Sequence, residues 1–163
     1  MDIEAAVQSL VDRAEVIDVL TRYATSIDRR RWDDFAACLA DTVEISMPVT
    51  GGSVAMSRDE LVGLAGRIYA QLAATQHISA NHQVTIAGDD ATAVSTLNAT
   101  HYLGADVTGG SLQREIGYYE WRLIRSGGWR IDRMHMTITW VEGNTARFRE
   151  IQATAEMPTA DEE

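Results

Sequence analysis

From Thr75 onward the apolar residues of this chain recur every second position, whereas before it they recur at helical spacing or break into short pieces. Four long segments carry the two-residue period: TQHISANHQVTIAG, ATAVSTLNATHYLG, LQREIGYYEWRLIRS and WRIDRMHMTITW. Gly88-Asp89-Asp90 and Ser126-Gly127-Gly128 turn the chain between neighbours, and a glycine-rich link at 104–110 joins the middle pair. Strands joined mostly as hairpins bury one face only if something covers it. That cover has to come from the helical segments upstream. The layout predicted is α+β: helices on one face of a curved, mainly antiparallel sheet.

The upstream segments read as three helices. The first spans about residues 4–28, with Leu10, Ala14, Ile17, Leu20 and Ala24 on one side. Trp32, Phe35, Ala36 and Leu39 predict a short second helix, which Asp41 helps to end. TVEISMP reads as a strand stopping at Pro48, and VTGGSVAM as a turn with a short strand after it. Ser57 followed by Glu60 is a capping box that opens a third helix, RDELVGLAGRIYAQLAA. One domain is expected over 1–150, followed at 151–163 by an acidic tail that frays.

Composition removes several function classes. With 163 residues, 45% hydrophobic, the chain is long enough for one domain with a proper core. A net charge of −10 argues against a nucleic-acid groove or an anionic membrane surface as partner. No apolar run approaches a membrane span, and the first fifteen residues lack the basic and apolar blocks of a secretion signal. Cys38, the one cysteine, falls in the apolar pattern of the short second helix. It reads as a core residue in a reducing compartment, which makes the cytoplasm the expected location.

Asp28 extends the apolar side of the first helix, at the end where the macrodipole disfavours negative charge. Pairing with Arg29, Arg30 or Arg31 at the surface is the simpler explanation, and proton chemistry in a pocket is the other. On the strand 91–103, Ala91, Ala93, Leu97, Ala99, His101 and Leu103 share one side. The small alanines leave volume beside His101. Met134, Met136, Ile138 and Trp140 alternate on the last strand and would complete an apolar wall. Parity in TQHISANHQVTI puts His82 with Ile78, Ala80, Val84 and Ile86, and His77 opposite, unless a bulge near Ser79–Ala80 reverses it. The four histidines lack a paired ligand spacing, and no phosphate loop or nucleophile elbow is present. What remains is acid–base chemistry by carboxylate, imidazole and phenol.

The segments YATSIDRRRWDDF, TQHISANH, NATHYL and YYEWRLIRSGGWRI resemble the SnoaL-like branch of the nuclear-transport-factor-2-like superfamily, over about residues 8–150. That branch includes scytalone dehydratase, bile-acid 7α-dehydratases and a hexachlorocyclohexane dehydrochlorinase. The resemblance implies a cone-shaped α+β barrel around a deep, mostly apolar pocket. It implies that Asp28 and His77 are the aspartate–histidine dyad and His101 a second pocket histidine. Ile27 and Met47 stand where scytalone dehydratase has tyrosines, and Tyr118 where it has a substrate-binding asparagine. The expected activity is cofactor-free dehydration of a small, hydrophobic, oxygenated ring or polyketide-type compound. Cyclisation or isomerisation with the same base, or ligand binding without catalysis, are the alternatives. His101 is the first candidate acid and Tyr118 the second, with Ile27, Met47, Tyr118, Met136 and Trp140 against the substrate. The resemblance also implies a homo-oligomer, dimer or trimer, formed through an exposed sheet face bearing Tyr119 and Trp121.

Overall fold

The computed structural model describes residues 2–160. Helix α1, Ile3–Asp28, starts at Asp2, whose carboxylate accepts from the Glu4 and Ala5 amides. Its buried side carries Val16, Val19, Leu20, Tyr23 and Ile27. The apolar side is therefore turned from the one that periodicity suggested: Leu10 is 67% exposed. Helix α2, Trp32–Ala36, is one turn shorter than expected. Leu39 opens strand β1, Leu39–Ser46, rather than closing a helix, because it pairs in parallel with Ile131. Cys38 lies buried in the turn between α2 and β1, not within a helix. A 3-10 turn at Pro48–Thr50 leads to β2, Ser53–Ser57, and then to α3, Arg58–Tyr69, whose Ser57–Glu60 capping box is formed as expected.

The four long strands are β3, Ala74–Ala87, β4, Asp90–Tyr102, β5, Leu112–Arg125, and β6, Trp129–Gly143. Six strands form one sheet in the order β2-β1-β6-β5-β4-β3, antiparallel except between β1 and β6. This is the helix-covered, mainly antiparallel sheet that the period change at Thr75 predicts. The sheet is not closed into a ring; β2 and β3 are its edges. The five residues expected on one side of β4, Ala91 to His101, are buried, as is Leu103 just after the strand. Tyr23 packs edge-on against Trp121 at 5.1 Å between ring centres, tying α1 to the centre of the sheet. Full burial of a large apolar side chain is worth about 1.5–3 kcal/mol, so Phe35, Leu20, Ile131 and Trp129 anchor this layer.

Residues in direct register across antiparallel strands share a face. Trp121 pairs with Ala93 and Tyr119 with Ser95, so both aromatics point inward with the buried face of β4. They are 3% and 6% exposed and do not belong to an outer association face, contrary to expectation.

After β6 the chain forms a helix that patterning did not predict, α4, Thr145–Thr154. Asn144 caps it, accepting from the Arg147 amide while its own amide donates to Thr108 O and Gly110 O. Phe148, Ile151 and Ala155 bury against Leu64, Ile68, Leu72 and Leu103 in a second, smaller core. The boundary expected at 150 thus falls inside a helix, and the Ala160 amide still donates to Thr50 O at 2.8 Å. The acidic end, 161–163, lies outside the described residues. Among the described residues, no helix is long and apolar enough to cross a membrane.

Candidate active site

Asp28 is the last residue of α1, with no basic residue in its last turn. Its carboxylate is satisfied by a single partner residue. The His77 amide donates to Oδ2 at 2.8 Å, and His77 Nδ1 lies 2.7 Å from Oδ1. None of the three neighbouring arginines forms an ion pair with it among the described residues. Arg31 pairs with Asp34, and Arg30 donates to Ile27 O and lies over the Tyr69 ring. The surface-pairing explanation of Asp28 is excluded by this geometry.

His77 faces inward because β3 contains a bulge. Ala80 pairs with Thr96 and Gln83 with Val94, so Asn81 and His82 together oppose Ser95. Asn81 takes the extra turn with φ +54°. Parity reverses there: His77 and Ser79 share the inner face with His82 and Val84. His82 sits beside Ser79, 3.2 Å from its hydroxyl, and burial depresses its pKa. It does not line the cavity around His77.

With Asp28 accepting from Nδ1–H, the free lone pair of His77 is on Nε2. The Tyr69 hydroxyl stands 3.2 Å from it and donates to it. His101 is held differently. Its Nδ1 lies 2.6 Å from Gln113 Oε1, which fixes the proton on Nδ1 and leaves Nε2 as an acceptor. Nε2 is buried without a partner. Phe148 stacks on the ring at 4.2 Å. Burial first, then the neighbouring His77, push the His101 pKa down to about 4. A neutral imidazole presenting a lone pair accepts hydrogen bonds near neutral pH. So placed, a neutral His101 offers an acceptor at Nε2 rather than the donor that the expected acid role calls for.

The cavity around these groups is walled by Ile27, Met47, Leu61, Leu64, Met134 and Met136, with Tyr23, Tyr119 and Glu115 as further polar members. Burial keeps the phenols of Tyr23, Tyr69 and Tyr119 protonated and raises the Glu115 carboxyl above its ordinary range. The inner cavity holds about 80 Å³. That accommodates several waters but is small beside ordinary ligand sites of about 300–1,000 Å³. An outer chamber of about 540 Å³ shares Glu115, Met136, Phe148 and Gln152 with it and adds Pro48, Val49, Ile138 and Arg149. A ligand larger than a small ring has to extend into that chamber.

The expected site residues therefore divide. Asp28, His77, His101, Ile27, Met47 and Met136 come together. Tyr118 and Trp140 do not, being 37% and 54% exposed on the outer face. Tyr118 is in register with Thr96, one step out of phase with the inward Tyr119. Trp140 leaves the wall through a second bulge. Gly117 pairs with Ile138 but Ile116 with Trp140, so Thr139 is extra and parity flips after Ile138. A side chain on Gly117 would run into Thr137 O, which is why glycine marks that crossing. Sequence reasoning missed Tyr69, Glu115, Gln113 and the α4 residues Phe148 and Gln152. Glu115 was legible in principle: Gln113, Glu115, Gly117 and Tyr119 share the parity that leads to the buried Trp121. Among the described residues, no group of three or more histidine, cysteine, aspartate or glutamate side chains is arranged to hold a metal ion.

The fold thus holds a carboxylate–imidazole pair at the wall of an apolar cavity. The SnoaL-like domain family matches residues 8–135, and the chain belongs to it. No curated protein matches. Among solved structures, the Kfla4162 protein of Kribbella flavida is 24% identical, covering 87% of this chain and 99% of its own, with a TM-score of 0.81. A scytalone-dehydratase-like protein of Novosphingobium aromaticivorans is 18% identical over 85% of this chain and 91% of its own, with a TM-score of 0.74. Hexachlorocyclohexane dehydrochlorinase LinA-type3 of Novosphingobium barchaimii is 15% identical over 86% and 94%, with a TM-score of 0.73. These likenesses establish the NTF2-like fold.

Proposed function

We propose that the chain is a cofactor-free lyase of the dehydratase type. In this reading His77, oriented by Asp28, takes a proton from a carbon next to an activating group of a small oxygenated ring compound. The observation that carries it is the 2.7 Å contact between His77 Nδ1 and Asp28 Oδ1 at the wall of an apolar cavity. The carboxylate selects the tautomer with a lone pair on Nε2 and stabilises the imidazolium once the proton has moved. The Tyr69 hydroxyl donates to that lone pair, so a substrate has to displace or share it. The unpartnered Nε2 of His101 suits a substrate hydroxyl that donates to it in the plane of the imidazole, which the stacked Phe148 ring holds in place. The apolar walls favour an uncharged ring. The two dehydratase- and dehydrochlorinase-type neighbours support elimination over cyclisation or isomerisation with the same base.

The test is a panel of small cyclic β-hydroxy ketones, followed by the absorbance of the conjugated product. Asp28→Asn and His77→Ala are each expected to abolish turnover while the circular dichroism and melting curve stay near those of the wild type. Either variant retaining the wild-type rate overturns the dyad assignment. A chelator is expected to leave the rate unchanged, since the proposed base and its partner are both side chains.

A further inference from the structure

Three strands place a second ionisable group opposite His77. His77 pairs with Ala99, and Ala99 pairs with Glu115, so base, alanine and carboxyl form one row across β3, β4 and β5. All three line the inner cavity. Strands lie about 4.8 Å apart, which separates the backbones of His77 and Glu115 by roughly 10 Å. Between them stands a methyl group. Any larger side chain at 99 would project between His77 and Glu115 on the inner face. The row above, Thr75–His101–Gln113, has the histidine in the middle and no such gap.

We infer that Glu115 is the proton donor of this site, facing the His77 base across the gap over Ala99. This rests on the lyase reading above. A substrate lying on Ala99 loses a carbon-bound proton to His77 Nε2. The electron pair of that C–H bond forms the new double bond, the C–O bond breaks, and the leaving oxygen takes the Glu115 proton and departs as water. Imidazolium and carboxylate remain, and transfer of the proton back through solvent restores both.

Other groups suit the role less. Tyr69 is on the base's own side, bonded to its lone pair, and burial makes its phenol a reluctant donor. His101 offers an acceptor. Tyr118 is on the outer face. Burial raises Glu115 towards the range useful to a general acid, with Gln113 and His77 opposing the rise. Gln113 from β5 and His77 from β3 bear on its charge, and Glu115 in turn acts on Tyr69 from α3 and Tyr119 from β5; Tyr23 from α1 and His101 from β4 line the same cavity, and Arg149 from α4 borders the outer chamber.

Two benzisoxazoles test this without the natural substrate. Each loses a ring C–H proton to a base as its N–O bond breaks, giving a 2-cyanophenol. The 5-nitro compound expels a phenolate stable enough to leave unaided, whereas the unsubstituted one benefits from a donor. His77→Ala is expected to abolish catalysis of both. Glu115→Gln, an isosteric change, is expected to leave the nitro compound within a factor of about three and to slow the unsubstituted one by about 10²-fold. With wild type, the unsubstituted compound should lose rate as rising pH ionises Glu115, and Glu115→Gln should lack that limb. If His77→Ala is as active as wild type on the nitro compound, the base reading falls, and this inference with it. If His77→Ala is inactive but Glu115→Gln treats the two compounds alike, only the donor assignment falls. A leaving-group dependence that appears in Tyr69→Phe instead gives the role to the tyrosine.

Discussion

His101 shows how one side chain couples the site to stability. In the fold its pKa is pushed down to about 4 from an ordinary 6.5, chiefly by burial. The unfolded chain therefore binds a proton below pH 6.5 that the folded chain refuses until about pH 4. The folded state binds fewer protons in that window, so stability rises with pH across it. The contribution is complete above pH 6.5 and is lost on acidification, up to about 3 kcal/mol by pH 4. Urea midpoints measured from pH 7 to 4 should fall steeply for the wild type and more gently for His101→Gln. Parallel slopes would mean that the imidazole is not held neutral. Cys38 belongs at this scale as well. Burial pushes its thiol up to about 11, and its Sγ approaches Asp34 O, so the folded protein should react with aromatic disulfides only at its unfolding rate.

At the scale of elements, the site depends on two bulges and a helix. The bulge at Asn81–His82 turns His77 inward, and the one at Thr139 turns Trp140 outward. Replacing Asn81, at φ +54°, by valine should cost about 1–2 kcal/mol, because a β-branched residue resists that conformation. Asn81→Gly should be near neutral. Equal denaturation midpoints for the two variants would count against the bulge's holding the strand. Alternation made the strands and the inner face of β4 legible, since both depend only on a period of two. It failed at His77 and Trp140, because a bulge changes the period by one without changing composition. Asp28 was visible as an anomaly on an apolar stripe, but its partner lies 49 residues away, beyond any local pattern. Helix α4 was illegible for another reason: its burial rests on Phe148, Ile151 and Ala155 in a largely polar stretch.

The whole molecule carries an outer sheet face on which Tyr118, Trp140, Ile78 and Leu112 are exposed. These residues, not Tyr119 and Trp121, are the ones on which the expected self-association has to rest. We predict a homo-oligomer. Light scattering should return a multiple of 17.9 kDa, reduced towards the single-chain mass by Trp140→Glu together with Tyr118→Glu. A wild-type mass of one chain would sink the prediction.

The α4 helix has a further consequence. The family match ends at 135, yet Phe148, Gln152 and Met157 close the cavity that the matched part begins. Asp28 and His77 lie within the matched part, whereas most of the outer chamber's wall, from Met136 to Gln152, comes from the chain beyond it. Under the lyase reading, substitutions beyond residue 135 should change which guest is admitted while leaving the paired Asp28 and His77 in place. On that reading, the reaction and the choice of substrate can then be inherited separately.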